Sequence, residues 1–138
     1  MNSYFEMMVL SASPLELIRL LYRKAATGIQ DAREHLRRGR IEERSAAINN
    51  VYAVLMELTS SLRAEEAPEL AGRLKSLYGY MQLRLVEANL QQRDEPLDEV
   101  LGLLTTLAEA WNAEPHLERQ AADPDESGDR SYRFAVSA

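Results

Sequence analysis

Two histidines, His35 and His116, and 22 acidic residues are the side chains that could bind a metal or move a proton. Helical bundles that carry metal pairs use Glu-x-x-His, which sets a carboxylate and an imidazole on one helix face. The residues three before the histidines are Ala32 and Ala113, so that pattern is missing. Asp31 and His35 stand four apart and read as one solvated helix contact. There is no cysteine, which removes thiol nucleophiles, disulfides and cysteine metal sites. The six glycines are scattered rather than gathered into a phosphate-cradling loop, and no serine sits in a Gly-x-Ser-x-Gly elbow. The pairs Glu42-Glu43 and Glu65-Glu66 fall at expected helix ends, where capping or solvation explains them. The inventory calls for no catalytic centre and no cofactor, and an enzyme is the weakest functional reading.

Charge narrows the partners. Sixteen basic against 22 acidic residues give a net charge of −6. Residues 114 to 138 carry six acids and three Arg, so the remaining body is only mildly acidic. That argues against duplex nucleic acid as the main partner. Arg33, Arg37, Arg38, Arg40 and Arg44 cluster around one expected turn. They complement a negative helix end and pair with Glu34, Glu42 and Glu43, or else they form a docking patch for an acidic partner. No apolar run approaches the roughly 20 residues that span a bilayer. The first residues lack the basic segment and apolar core of a signal peptide. The expectation is a cytoplasmic protein without membrane insertion.

The elements follow from apolar spacing. Ser13 caps a helix whose first position is Pro14, and Glu16 completes a capping box. The first helix is expected over 14–38, with Leu17, Leu21, Ala25, Ile29, Ala32 and Leu36 in line, and Gly39 as its stop. A second is expected over 41–63, with Ile48, Val51, Tyr52, Leu55, Leu58 and Leu62. A third is expected over 68–92, with Leu70, Leu74, Leu77, Tyr78, Met81, Leu85 and Ala88; Leu83, Val86 and Leu90 lie off that stripe. Gly79 within it weakens the helix and is expected to permit a close helix contact. The fourth begins near Glu95-Pro96 and runs to about Trp111, with Leu97, Val100, Leu101, Leu104, Leu107 and Ala108 on one face. Short connections between long helices predict an all-α, antiparallel up-down four-helix bundle over 13–113. A short apolar arm precedes it at 1–12, and an acidic, flexible tail follows at 114–138.

Three blocks then carry a family resemblance. Tyr4, Val9, Ser11-Ala12-Ser13-Pro14, Glu16-Leu17 and Leu21-Tyr22 form the first. Leu77-Tyr78-Gly79-Tyr80-Met81, continuing to Arg84-Leu85-Val86-Glu87-Ala88-Asn89, forms the second. Leu97-Asp98-Glu99-Val100 with Leu103-Leu104, Leu107 and Trp111 forms the third. In order and spacing the chain resembles the flagellar secretion chaperone FliS family over residues 4 to about 113. Ser11 replaces the family's Thr, Tyr52 stands where Gln is frequent, and Arg63 stands where Asp is frequent. Glu66-Ala67-Pro68 replaces a common Gly-Gly, and the tail has no counterpart.

The resemblance implies a cytoplasmic chaperone that binds the C-terminal segment of flagellin, blocks its premature polymerisation and delivers it to the flagellar export gate. An amphipathic segment docks its apolar face on exposed helix grooves. Off-stripe apolar residues are candidates for that surface, or else they widen the core. The second and third helices are expected to supply it, through Ile48, Tyr52, Leu55, Leu77, Tyr78, Met81, Leu85 and Ala88, some of which must instead be core. Arg84 and Asn89 are candidates to bond the client. Tyr4 and Val9 of the arm are expected to fill part of the groove until the client displaces them. The alternative is a bundle that forms a homodimer or takes another client through its apolar faces.

Overall fold

The computed structural model describes residues 14–112; the expectations for Tyr4, Val9, Ser13, the arm and the tail lie outside the described residues. Four helices follow one another: α1 (Pro14–Arg37), α2 (Ile41–Ser60), α3 (Pro68–Gln91) and α4 (Glu95–Asn112). Helix α1 packs on α2 and α4, and α3 also packs on α2 and α4, so the four close a ring around one core. Arg33, late in α1, bonds Asp94 and Asp98 at the start of α4, while Ala108, late in α4, lies beside Arg19 and Tyr22 early in α1.

Each helix contributes a buried stripe at 3.6-residue spacing. Helix α1 gives Leu15, Ile18, Leu21, Tyr22, Ala25, Ile29 and Ala32. Helix α2 gives Ile48, Val51, Val54, Leu55 and Leu58, and α3 gives Tyr78, Met81, Leu85 and Ala88. Helix α4 gives Leu97, Val100 and Leu104. Leu17, Leu36 and Leu77 only flank this core, and Leu70 and Tyr52 are exposed rather than in line.

The helix ends have local causes. Gly39 at φ +70° lets its own N–H bond the Leu36 carbonyl (3.2 Å) and the Arg40 N–H bond the His35 carbonyl (2.9 Å), which closes α1. Helix α2 stops at Ser60, three residues before the expected end. Thr59, Ser60 and Ser61 each turn their hydroxyl back onto a carbonyl of the preceding turn, of Leu55, Glu57 and Leu58. Such side chains compete with the continuing ladder. Pro68 starts α3, and Gln92 ends it in a left-handed conformation at φ 55°.

The close helix contact is not at Gly79, whose missing Cβ would meet open space. It is at Gly28. A Cβ there would lie 2.6 Å from Val51 Cγ2, a stiff, buried branch of α2. The two glycines therefore predict opposite signs. Gly28→Ala should destabilise the bundle by about 1–3 kcal/mol through overpacking. Gly79→Ala should stabilise it by about 1 kcal/mol through helix propensity. Urea unfolding of the two variants beside the parent checks both.

Candidate functional site

Helix α3 divides the candidate residues, because each of its faces meets something different. Its inner face carries Tyr78, Met81, Leu85 and Ala88 into the core, where α2 contributes Ile48 and Leu55. These six were expected to offer a binding surface. They are core instead, since the long stripes of a four-helix bundle must cover one another to leave water. Leu77 is half-buried at the edge of the same core.

The Tyr78 hydroxyl meets the Tyr22 hydroxyl at 2.7 Å inside the core, tying α3 to α1 across the bundle. Burial comes first in pushing the Tyr78 phenol well above its ordinary value, and the Tyr22 neighbour adds to it.

The flank of α3 toward α4 is polar. Arg84 Nε donates to Glu99 Oε1 and Nη1 donates to Glu87 Oε1, both at 2.7 Å, with Glu95 at 3.8 Å. Tyr80 donates its hydroxyl to Glu99 Oε2 at 2.7 Å. The Tyr80 hydrogen bond, then Arg84, hold the Glu99 carboxyl below its usual range. Hydrogen bonding to Glu87 and Glu99 holds the Arg84 guanidinium above its own. Arg84 was expected to bond a client. Its charge is committed to clamping α3 to α4.

The opposite flank forms the seam with α2. Gln82 Nε2 donates to the Tyr52 carbonyl (3.3 Å). Asn89 Oδ1 accepts from Arg44 Nε (2.9 Å) and from Ser45 Oγ (3.2 Å). Asn89 therefore faces α2. Arg44, expected among the surface ion pairs of the basic cluster, is buried at this seam. Its neighbours in that cluster do pair on the surface: Arg37 and Arg38 with Glu34, and Arg33 with Asp94 and Asp98.

What remains of α3 faces outward. Leu83 and Leu90 are 57% and 77% exposed, and Val86 between them is exposed as well. With Gly79 they recur at i, i+4, i+7 and i+11, which is one strip along the helix. Across the seam, Ile41, Tyr52 and Met56 of α2 are exposed, and Ser45 stands on the same spacing. The two strips flank the α2–α3 seam, which the Ser45–Asn89 and Gln82–Tyr52 bonds cross. The off-stripe positions Leu83, Val86 and Leu90 are thus the apolar residues that α3 leaves on the surface, whereas its stripe is buried.

A separate depression of about 390 Å³ lies between α1 and α2. Its apolar floor, Leu20 and Val54, is already buried, and Arg23, Lys24, Asp31 and Asn50 line it. Among the described residues no group of three or more His, Asp or Glu is placed to hold a metal ion, and no helix is long and apolar enough to cross a membrane.

Comparison with known proteins bears on this geometry. A family model described as flagellar protein FliS matches residues 1–116. The chain belongs to the FliS family. The flagellar secretion chaperone FliS of Salmonella typhimurium is 36% identical over 107 residues, which cover 77% of this chain and 79% of that one. FliSB of Pseudomonas aeruginosa is 36% identical over 111 residues, covering 80% and 88%. FliS of Bacillus subtilis is 28% identical over 119 residues, covering 86% and 88%. FliS is a chaperone family rather than an enzyme family.

The Tyr22–Tyr78 pair yields a pH prediction. In the unfolded chain Tyr78 ionises near its ordinary value of 10.0, whereas the buried phenol keeps its proton. Above that pH the unfolded state binds fewer protons, so stability falls as pH rises. Tyr78→Phe should cost about 1 kcal/mol at neutral pH through the lost hydrogen bond. It should also shrink the loss of stability between about pH 9 and about pH 11. Urea midpoints across that range measure both effects.

Proposed function

We propose that this chain is a cytoplasmic flagellar export chaperone that holds the C-terminal segment of flagellin on the α2–α3 groove. Held there, the segment is kept from polymerising before export and is presented to the flagellar export gate. Membership of the FliS family, with relatives named flagellar secretion chaperone, supports the role. The observation that carries the site is the outward strip Leu83, Val86 and Leu90 beside Tyr52 and Met56.

The physics of the strip suits a helical client. Contiguous exposed apolar side chains bordered by polar ones mark interaction surfaces. An amphipathic helix reads such a groove through anchors at i, i+3, i+4 and i+7. A segment that folds on binding loses conformational entropy, and a groove as long as α3 supplies contacts over several turns to offset it. Of the residues expected to contact the client, Tyr52 stays in this proposal, and Met56, Leu83, Val86, Leu90 and Ile41 join it. Tyr4 and Val9 are proposed to cover part of the strip before the client arrives. A second copy of the chain is the competing occupant.

Two comparisons test this. The chain should bind flagellin and should not bind flagellin lacking its C-terminal segment. The double variant Leu83→Ser with Leu90→Ser should weaken flagellin binding by at least about tenfold at an unchanged melting temperature, because it removes exposed rather than core contacts. Titration calorimetry measures the affinity. Equal binding to both flagellins sinks the client assignment. A concentration-dependent dimer that dissociates in the double variant would assign the strip to a second copy instead.

A further inference from the structure

Arg44 is buried without a carboxylate, and the function proposed above leaves it unused. Its side chain is 5% exposed. Nε donates to Asn89 Oδ1 at 2.9 Å, and Nη2 donates to the Asn89 carbonyl at 3.3 Å. Ser45 Oγ donates to the same Oδ1 at 3.2 Å, so the amide is fixed from two sides. The amide in turn fixes the plane of the guanidinium.

A guanidinium carries five N–H donors. Asn89 takes two. Nη1 has no acceptor among the described residues, yet it is not sealed from solvent. Arg33, Arg37, Arg38, Arg63, Arg84 and Arg93 each hold a carboxylate. Arg23, Arg40 and Arg73 are exposed to water. Arg44 has neither compensation among the described residues. Withdrawing a cation from water without an opposite charge is costly, and neutral amide acceptors offset only part of that cost.

The position gives the cation a use. Arg44 is three residues after Ile41 on α2, and Asn89 stands between Val86 and Leu90 on α3. Those three apolar residues are exposed. The Arg44–Asn89 pair therefore stands at the end of the α2–α3 seam, next in sequence to exposed apolar residues of both helices. The planar fork of the guanidinium matches a carboxylate, and a pair made there is poorly screened by salt.

We propose that Arg44, oriented by Asn89, is the polar anchor of the groove and takes a carboxylate from the client's bound helix. The ligand is an Asp or Glu side chain with apolar residues three or four positions away, which meet Ile41, Val86 and Leu90. Arg44 thereby sets the register of the client, because one carboxylate on an otherwise apolar face can meet the buried cation in only one axial position. This rests on the client reading given above and refines it.

The test is a double-mutant cycle by titration calorimetry. On one side are the parent chain and Arg44→Gln. On the other are flagellin and variants in which each Asp or Glu of its C-terminal segment is changed singly to Asn or Gln. Arg44→Gln should weaken binding about tenfold or more. One client carboxylate should show the same loss against the parent chain and almost none against Arg44→Gln. If Arg44→Gln fails to fold, the client variants against the parent chain still decide, since one of them must stand out. Equal effects of every client variant in both backgrounds, or full affinity in a folded Arg44→Gln, would overturn the anchor while leaving the client reading intact. Absence of any binding between the parent chain and flagellin would overturn both.

Discussion

A ring of four helices can hide only one stripe from each, and the rest of the structure depends on how those stripes are shared out. In this chain the inner stripes meet with little slack. Gly28 gives way so that Val51 can approach α1, and Tyr22 and Tyr78 satisfy each other's hydroxyls inside the apolar interior. Tyr78, Met81, Leu85 and Ala88 are committed to the core, and Leu74 and Leu77 pack against its edge, so the inward face of α3 is already covered. What α3 can offer a partner has to come from its remaining, outward surface. That surface is still apolar along one line.

Two polar flanks isolate that line. Toward α4, Arg84, Tyr80, Glu87 and Glu99 form a bonded cluster; toward α2, Gln82 and Asn89 bond across the seam. The carboxylates that pair with Arg84 are partly exposed to water, which limits what those pairs add to stability, and the effect of the two flanks is mainly geometric. They hold α3 at a fixed rotation, which keeps Leu83, Val86 and Leu90 turned outward. In the proposed function the client would lie on this apolar strip, with the closed core beneath it as support.

Much of the fold was legible in the sequence, because helical spacing and breakers are local signals. The starts of all four helices and the stop at Gly39 follow from them. The end of α2 did not, since the hydroxyls of Thr59, Ser60 and Ser61 unwind it before the apolar pattern runs out at Leu62. The site was legible only in part. Spacing locates a stripe but does not say which of two apolar faces on α3 turns inward; that depends on its neighbours. Tyr52 sits two positions from the deeply buried Val54 and beside Val51, and a small angular offset leaves it at the seam. Arg44 could not be found as a buried cation from its sequence neighbours, because Asn89, its partner, is 45 residues away.

The most direct measurement of the central claim is methyl NMR of the chain titrated with the flagellin C-terminal segment. Met56, Leu83, Val86 and Leu90 each carry a methyl reporter on the proposed groove, and Leu55, Met81 and Leu85 carry reporters in the core. The account predicts that the first set shifts or broadens strongly and saturates together, while the second set moves little because the bundle stays closed. Large shifts of the core methyls with little response at Leu83 and Leu90 would contradict it, by showing that the client enters the bundle rather than lying on its surface.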